Sequence, residues 1–241
     1  MILLERETQL DALRGHLAEA GAGRGRVVAA VGETGAGKTA LVDAFTAAIG
    51  AEARIFRSAC EDLSIPDPLG PLYDLAREAH WPLDRIGDRA ERVPLFSEAL
   101  EVFGAGALPT VLVIEDLHWA DDATLDLVRY LGRRIANTHI LMLITARNEA
   151  LPGQRRLRRA LGDIAPGNVV RIDVPLLSEA AVATLAQNAG LESGPIYRAT
   201  VGNAFFVTEL LRAGGDLTPS VRDATLTRAE RLGIGARMAL D

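Results

Sequence analysis

At 241 residues, 49% hydrophobic and 24% charged, the chain is long and apolar enough to bury a sizeable core, which excludes a disordered or low-complexity segment. A formal net charge of -6 and a pI near 5.3 exclude a general nucleic-acid clamp, because neutralising phosphates needs a basic surface. One cysteine, Cys60, excludes an internal disulfide and a cysteine-rich metal site, so a reducing cytoplasm is the expected compartment.

The apolar opening at 1–4 meets Glu5, Arg6 and Glu7 at once, too short a run for a secretory core, and no later run has the length of a membrane span. A soluble protein without membrane partners is expected. Leu10, Leu13 and Leu17 fall at helical spacing within 5–20, and the glycines at 21, 23 and 25 break the pattern. The apolar run 27–31 reads as a strand and leads into Gly32-Glu33-Thr34-Gly35-Ala36-Gly37-Lys38-Thr39, followed by a helical pattern to about Ile49 with Gly50 as its stop. A strand is expected at 53–59, with Cys60 as a small core residue at its end. Pro66, Pro68 and Pro71 punctuate a loop before a helix at 69–80, and a second helix spans 92–103, with Pro94 in its first turn. Residues 110–114 form a continuous apolar, β-branched run, the pattern of a strand buried on both faces, ending in Glu115-Asp116.

Asp121 or Asp122 caps the next helix, which runs to about Ala136. Another buried strand, 139–145, ends at Ala146-Arg147. An arginine-rich helix (Arg155, Arg156, Arg158, Arg159) and a fifth strand at 169–174 follow. Beyond Pro175 the pattern is helical only: Ser178 caps a helix to about Ala189, 204–212 forms another, and Thr218-Pro219 starts a third. Strands alternating with helices over 26–174 predict an α/β fold, a three-layer sandwich around a parallel sheet of about five strands, with ligands at the strands' carboxyl ends. The expected division is a core at 1–175 and a small helical lid at 176–241, whose last residues begin a helical pattern without a stop, as in a segment cut from a longer protein.

The spacing Gly-x-x-x-x-Gly-Lys-Thr between a strand and a helix is that of a phosphate-binding loop. Its glycines let backbone N–H groups converge on phosphate oxygens at a helix N-terminus, Lys38 reaches the β- and γ-phosphates, and the Thr39 hydroxyl is a ligand for Mg²⁺. An acid after a buried strand downstream supplies a carboxylate near that metal, and here there are two. Glu115 and Asp116 point to opposite faces if the strand continues, so one serves Mg²⁺ and the other orients or deprotonates the attacking water; both assignments stay open. Arg147, at the end of the neighbouring strand, is placed to contact a γ-phosphate, against the alternative of a surface ion pair. The four arginines of the later helix read as a solvated face, with an arginine finger or an acidic-partner contact as alternatives. His118 and Trp119 follow the paired acids, but their chemistry assigns them no role.

Glu115-Asp116-Leu117-His118-Trp119-Ala120-Asp121 resembles the acidic motif of the STAND signalling ATPases, above all the N-terminal ATPase module of large ATP-binding LuxR-type (MalT-like) bacterial transcriptional regulators. The resemblance takes in Glu5-Arg6-Glu7, the phosphate loop with Ala40 and Leu41, the 144–147 segment, Pro175-Leu176 with Ser178-Glu179, and the 202–211 segment beginning Gly202-Asn203-Ala204-Phe205-Phe206. It implies an ATP/ADP switch with slow hydrolysis, closed with ADP, opened by ATP and an effector for self-association, and binding DNA through a helix-turn-helix that this chain does not contain. It also brings Arg6, Ala40 and Asn203 into the nucleotide site. The family usually has Pro where Ala204 stands, helping to place the lid against adenine, and Gly where Glu5 stands. Two other readings are an ATPase motor or DNA-remodelling module of AAA+ type and a P-loop small-molecule kinase. The kinase is the weakest, because paired acids suit an activated water better than an alcohol acceptor.

Overall fold

The structure is a computed structural model that describes residues 3–65, 67–82, 92–148 and 155–216. Among these, helix α1 (Glu7–Gly21) precedes strand β1 (Arg26–Gly32), α2 (Lys38–Ile49) and β2 (Arg54–Ala59). Helices α3 (Gly70–Glu78) and α4 (Arg92–Gly104) lead to β3 (Thr110–Glu115), a single 3₁₀ turn (Leu117–Trp119) and α5 (Asp122–Arg134). Then come β4 (Ile140–Arg147), α6 (Arg155–Gly162) and β5 (Val169–Asp173), and finally α7 (Glu179–Asn188), α8 (Ser193–Thr200) and α9 (Ala204–Arg212).

The five strands form one parallel sheet in the order β2-β3-β4-β1-β5. The expected α/β sheet of about five strands is therefore present, with helices along it. β3 is buried throughout and β4 up to Ala146, as their unbroken apolar runs require, whereas β5 at the edge is only partly covered. The α5 face Leu127, Val128 and Leu131 closes on the core shared with Val27, Ile114 and Met142. Each such side chain contributes roughly 1.5 to 3 kcal/mol through burial.

Local chemistry sets the helix boundaries. Asp121 is the N-cap of α5, its carboxylate accepting from the Ala123 and Thr124 N–H groups, which settles the choice between Asp121 and Asp122. Ser178 caps α7 through the Ala181 N–H. Helix α8 has no counterpart in the sequence reading: Gly194 and Pro195 in its first turn masked a pattern in which only Ile196 and Thr200 are buried. The helix expected from Thr218 lies outside the described residues.

The chain divides into two compact units. The larger comprises Arg6–Glu33 and Lys38–Val174, with the sheet and its helices. The smaller comprises, among the described residues, 3–5, 34–37 and 175–216. Its own core joins Leu177, Val182, Ala186, Ile196, Val207 and Leu210, with Leu4 packed against them. Within it Glu5 holds a left-handed backbone (φ 57), and its carboxylate accepts from the Ser178 N–H at 2.9 Å and from the Ser178 hydroxyl. A side chain that binds the N-cap residue of α7 therefore stands where the resembled family usually has glycine.

Candidate functional site

Within the larger unit, β1 ends at Gly32 and α2 opens with Lys38 and Thr39. The buried Lys38 ammonium donates to the carbonyls of Gly32 at 3.0 Å and Glu33 at 2.9 Å, which folds it back over the start of the loop. Ala40 lies in the first turn of α2, and Arg6, just before α1, is 2% exposed.

β3 delivers Glu115, 6% exposed, to the carboxyl end of the sheet. The Thr39 hydroxyl donates to its Oε2 at 2.7 Å. Its Oε1 accepts from Arg57 Nε at 2.8 Å and Nη2 at 2.5 Å, and Arg57 Nη1 donates to Asp43 at 2.6 Å. Burial pushes the Arg57 guanidinium down, but its bonds to Asp43 and Glu115 outweigh that and hold its pKa above the ordinary arginine value. The network thus joins β2, β3 and α2 around one carboxylate.

The two acids diverge for a reason other than strand alternation. The strand stops at Glu115, and Asp116 turns into the left-handed region (φ 52), its N–H donating to the buried Thr145 hydroxyl at 2.9 Å. The Asp116 carboxylate is half-exposed, 3.8 Å from Nδ1 of the buried His118. A hydroxyl and a carboxylate meeting at 2.7 Å beside a phosphate-type loop form an oxygen donor set suited to Mg²⁺, which keeps several waters and takes few protein ligands. No group of three or more His, Cys, Asp or Glu side chains that could hold a metal ion occurs among the described residues.

Arg147 closes β4 directly opposite Gly32 in the β1 register, and the next N–H, of Asn148, donates to the Gly32 carbonyl at 3.3 Å. Its guanidinium carbon lies 5.2 Å from the centre of the Trp119 ring. Glu115, Asp116, Lys38, Thr39 and Arg147 therefore share the carboxyl end of one sheet.

In the smaller unit, Gly35 and Gly37 take positive φ (78 and 96), and a Cβ on Gly35 would run into the Asn203 amide oxygen. Asn203, the N-cap of α9, is 3% exposed; its Nδ2 donates to the Thr34 carbonyl at 2.7 Å, and the Phe205 N–H donates to the Gly35 carbonyl at 3.0 Å. Gly202 (φ 78) sets up this turn, where any Cβ would strike the Leu177 carbonyl. A Cβ added to Gly37 would meet the Ala204 side chain at ordinary contact distance.

Sequence reasoning missed Arg57, Asp43 and Thr145. Arg57 shares its strand with Arg54 and Ser58 and carries no signal of its own, whereas Thr145 interrupts an otherwise buried apolar run just before Arg147 and was the available signal. The four arginines of α6 are exposed, while Leu157 and Ala160 are buried; Arg156 is bound to Asp122 through both carboxylate oxygens at 2.7 Å. No helix among the described residues is long and apolar enough to cross a membrane.

Residues 2–144, more than half of the chain and including the loop and the paired acids, match the AAA ATPase domain. The chain belongs to that family. For this AAA ATPase domain the family implies nucleotide binding, typically with Mg²⁺, and the arrangement of Lys38, Thr39 and Glu115 fits it. No curated protein sequence matches significantly. Among solved structures, the ORC2 protein of Aeropyrum pernix, in ADPNP–ADP complexes, aligns at 14% identity with a TM-score of 0.58, covering 93% of this chain and 68% of that one. The Walker-type ATPase of Pyrococcus abyssi aligns at 14% identity with a TM-score of 0.58, over 99% and 75%. A signal transduction ATPase with numerous domains, carrying a tetratricopeptide repeat sensor, from Pyrococcus horikoshii aligns at 18% identity with a TM-score of 0.51, over 89% and 32%. At these identities the likeness is one of fold. The chain spans only 49% of the length of a Cdc6p chain from Pyrobaculum aerophilum and 32% of the Pyrococcus horikoshii protein.

Proposed function

We propose that this AAA ATPase domain is the ATP-binding, slowly hydrolysing switch of a signalling regulator of STAND type, the LuxR-type transcriptional regulators being the specific class. The observation that carries the reading is the grouping of 34–37 with the helices beyond Pro175, held by Asn203 on the Thr34 carbonyl and Phe205 on the Gly35 carbonyl. A loop whose carbonyls are bonded to α9 cannot rearrange around phosphates without those bonds responding, which is what a nucleotide-gated lid requires. The working division is a core of 1–175 and a lid of 176–241, with ADP favouring the closed form and ATP with an effector favouring an open, self-associating one. DNA binding belongs to a helix-turn-helix outside this chain.

Within the site, Lys38 leaves its two carbonyl partners for the β- and γ-phosphates, and the loop N–H groups from Glu33 to Ala40 hold the phosphate oxygens. Thr39 and Glu115 are the residues that would hold Mg²⁺, which when bound neutralises charge developing on the phosphates. The Thr39–Glu115 bond supports giving the metal to Glu115 and leaves Asp116, half-exposed on its turn, to orient the attacking water. Arg147, opposite Gly32, reads the γ-phosphate, and Arg6 and Asn203 complete the nucleotide-binding residues that the resemblance implies.

The test is to denature the purified protein and quantify released nucleotide by chromatography, with Lys38→Ala as control. Near-stoichiometric ADP in the wild type alone, with only slow turnover of added ATP, is the expected result. An empty wild-type protein that sustains rapid turnover stimulated by a polymer would replace the switch with a motor, the reading suggested by a neighbour fold such as the Aeropyrum pernix ORC1 protein in complex with DNA, TM-score 0.54 at 15% identity.

A further inference from the structure

Trp119 and His118 follow the paired acids without a role in the reading above. Trp119 ends the 3₁₀ turn Leu117–Trp119, its N–H donating to the Asp116 carbonyl at 2.8 Å, so the ring is fixed to the same turn that carries the second acid. On one side the buried His118 ring packs against it, centroids 5.0 Å apart. The Arg147 guanidinium lies over it at 5.2 Å, within the range of a cation–π contact. Arg147 itself is anchored at the backbone by its register with Gly32, the first residue of the phosphate loop. The arginine therefore spans from the loop strand to the acid strand, and the indole fixes where its far end rests.

We infer that Trp119 is the positioning residue of Arg147: its ring holds the guanidinium at the carboxyl ends of β3 and β4, so that the arginine is presented to a terminal phosphate in one orientation. The inference rests on Arg147 acting as the γ-phosphate reader. An arginine has several rotatable bonds, and a side chain already confined by a ring loses less freedom on binding phosphate than one swinging in water. The indole contributes no bond to the nucleotide, so its effect passes through Arg147 and is confined to ligands with a third phosphate.

The experiment measures affinities for a non-hydrolysable ATP analogue and for ADP, by calorimetry with Mg²⁺, in wild type, Trp119→Leu, Trp119→Phe, Arg147→Ala and the Trp119→Leu/Arg147→Ala double variant. A cation–π contact of ordinary strength corresponds to about a 2- to 30-fold effect. Trp119→Leu should weaken the ATP analogue by a factor in that range and leave ADP unchanged, Trp119→Phe should restore most of the loss, and Trp119→Leu should add nothing in the Arg147→Ala background. Equal losses for both nucleotides, no loss for either, or an undiminished loss without Arg147 would overturn the role of Trp119 while leaving that of Arg147 intact. If Arg147→Ala itself spares the preference for ATP, the reader assignment fails first and the positioning role falls with it.

Discussion

Replacing either partner of the Glu115–Arg57 pair neutralises one charge, yet the two changes should differ in cost. Glu115 is 6% exposed and has two hydrogen-bond sources, Thr39 at 2.7 Å on one oxygen and Arg57 on the other. Removing the guanidinium with Arg57→Ala leaves a buried carboxylate with one hydroxyl donor, a situation that costs about 3 kcal/mol or more. Glu115→Gln conserves shape, and the residual charge lies on Arg57, whose side chain is 36% exposed and still bound to Asp43 at 2.6 Å. Its loss is one charge-assisted contact discounted for solvent, about 1 to 2 kcal/mol. Urea unfolding of the nucleotide-free protein should therefore rank wild type, then Glu115→Gln, then Arg57→Ala, with unchanged m-values. Calorimetry adds a second readout: with Glu115 proposed as the carboxylate that would hold the metal beside Thr39, the gain in ATP affinity on going from EDTA to Mg²⁺ should largely vanish in Glu115→Gln. A reversed stability ranking, or a full Mg²⁺ gain in the glutamine variant, would refute the reasoning.

Burial pushes the Cys60 thiol up to about 12 from an ordinary 9.0, so its thiolate fraction near neutral pH falls by roughly 10³. Cys60 should resist iodoacetamide in the native protein and react once urea unfolds it. Because the folded thiol keeps its proton to higher pH than the unfolded one, the linked stability is intact below about pH 9 and declines as pH rises toward 12, which unfolding curves over that window would show. At Glu5, φ 57 predicts that Glu5→Gly is more stable than Glu5→Ala by about 1 kcal/mol, since both lose the Ser178 bonds and only glycine relaxes the left-handed backbone; equal melting temperatures would contradict the conformation. Ala204 occupies the first position of α9, where proline is tolerated, so Ala204→Pro should fold with stability within about 1 kcal/mol of wild type by thermal melting, and a larger loss would mean that the Ala204 N–H is needed.

The sheet was legible because each buried strand is a short, unbroken apolar run, and parallel strands covered on both faces need no other signature. The phosphate loop was legible because its glycines serve local backbone geometry, which spacing records directly. What spacing does not record is which distant side chain closes on which. Arg57 reads as an ordinary surface charge until β2 is paired with β3, which sets Ala59 beside Glu115 and brings the guanidinium to the carboxylate. Asp116 looked like a strand residue on the face opposite Glu115, but the strand ends one residue earlier and a left-handed turn re-aims it. Helix α8 was hidden because a Gly-Pro pair suggests a turn, whereas proline early in a helix lacks only an N–H that the first turn does not use.

The sheet order places β1 between β4 and β5, so the strand that launches the phosphate loop has both neighbours more than a hundred residues downstream. On a ribosome the apolar stretch from Val27 to Val31 emerges before either of its neighbours and finds no edge of β4 to join until 140–147 has been added. At about 5 to 20 residues per second the 115 residues from Gly32 to Arg147 take about 6 to 23 s, during which a short β-prone segment is open to other nascent chains. Soluble yield should therefore follow translation speed and holdase supply more than equilibrium stability, and slowing synthesis without added chaperone would lengthen the vulnerable interval.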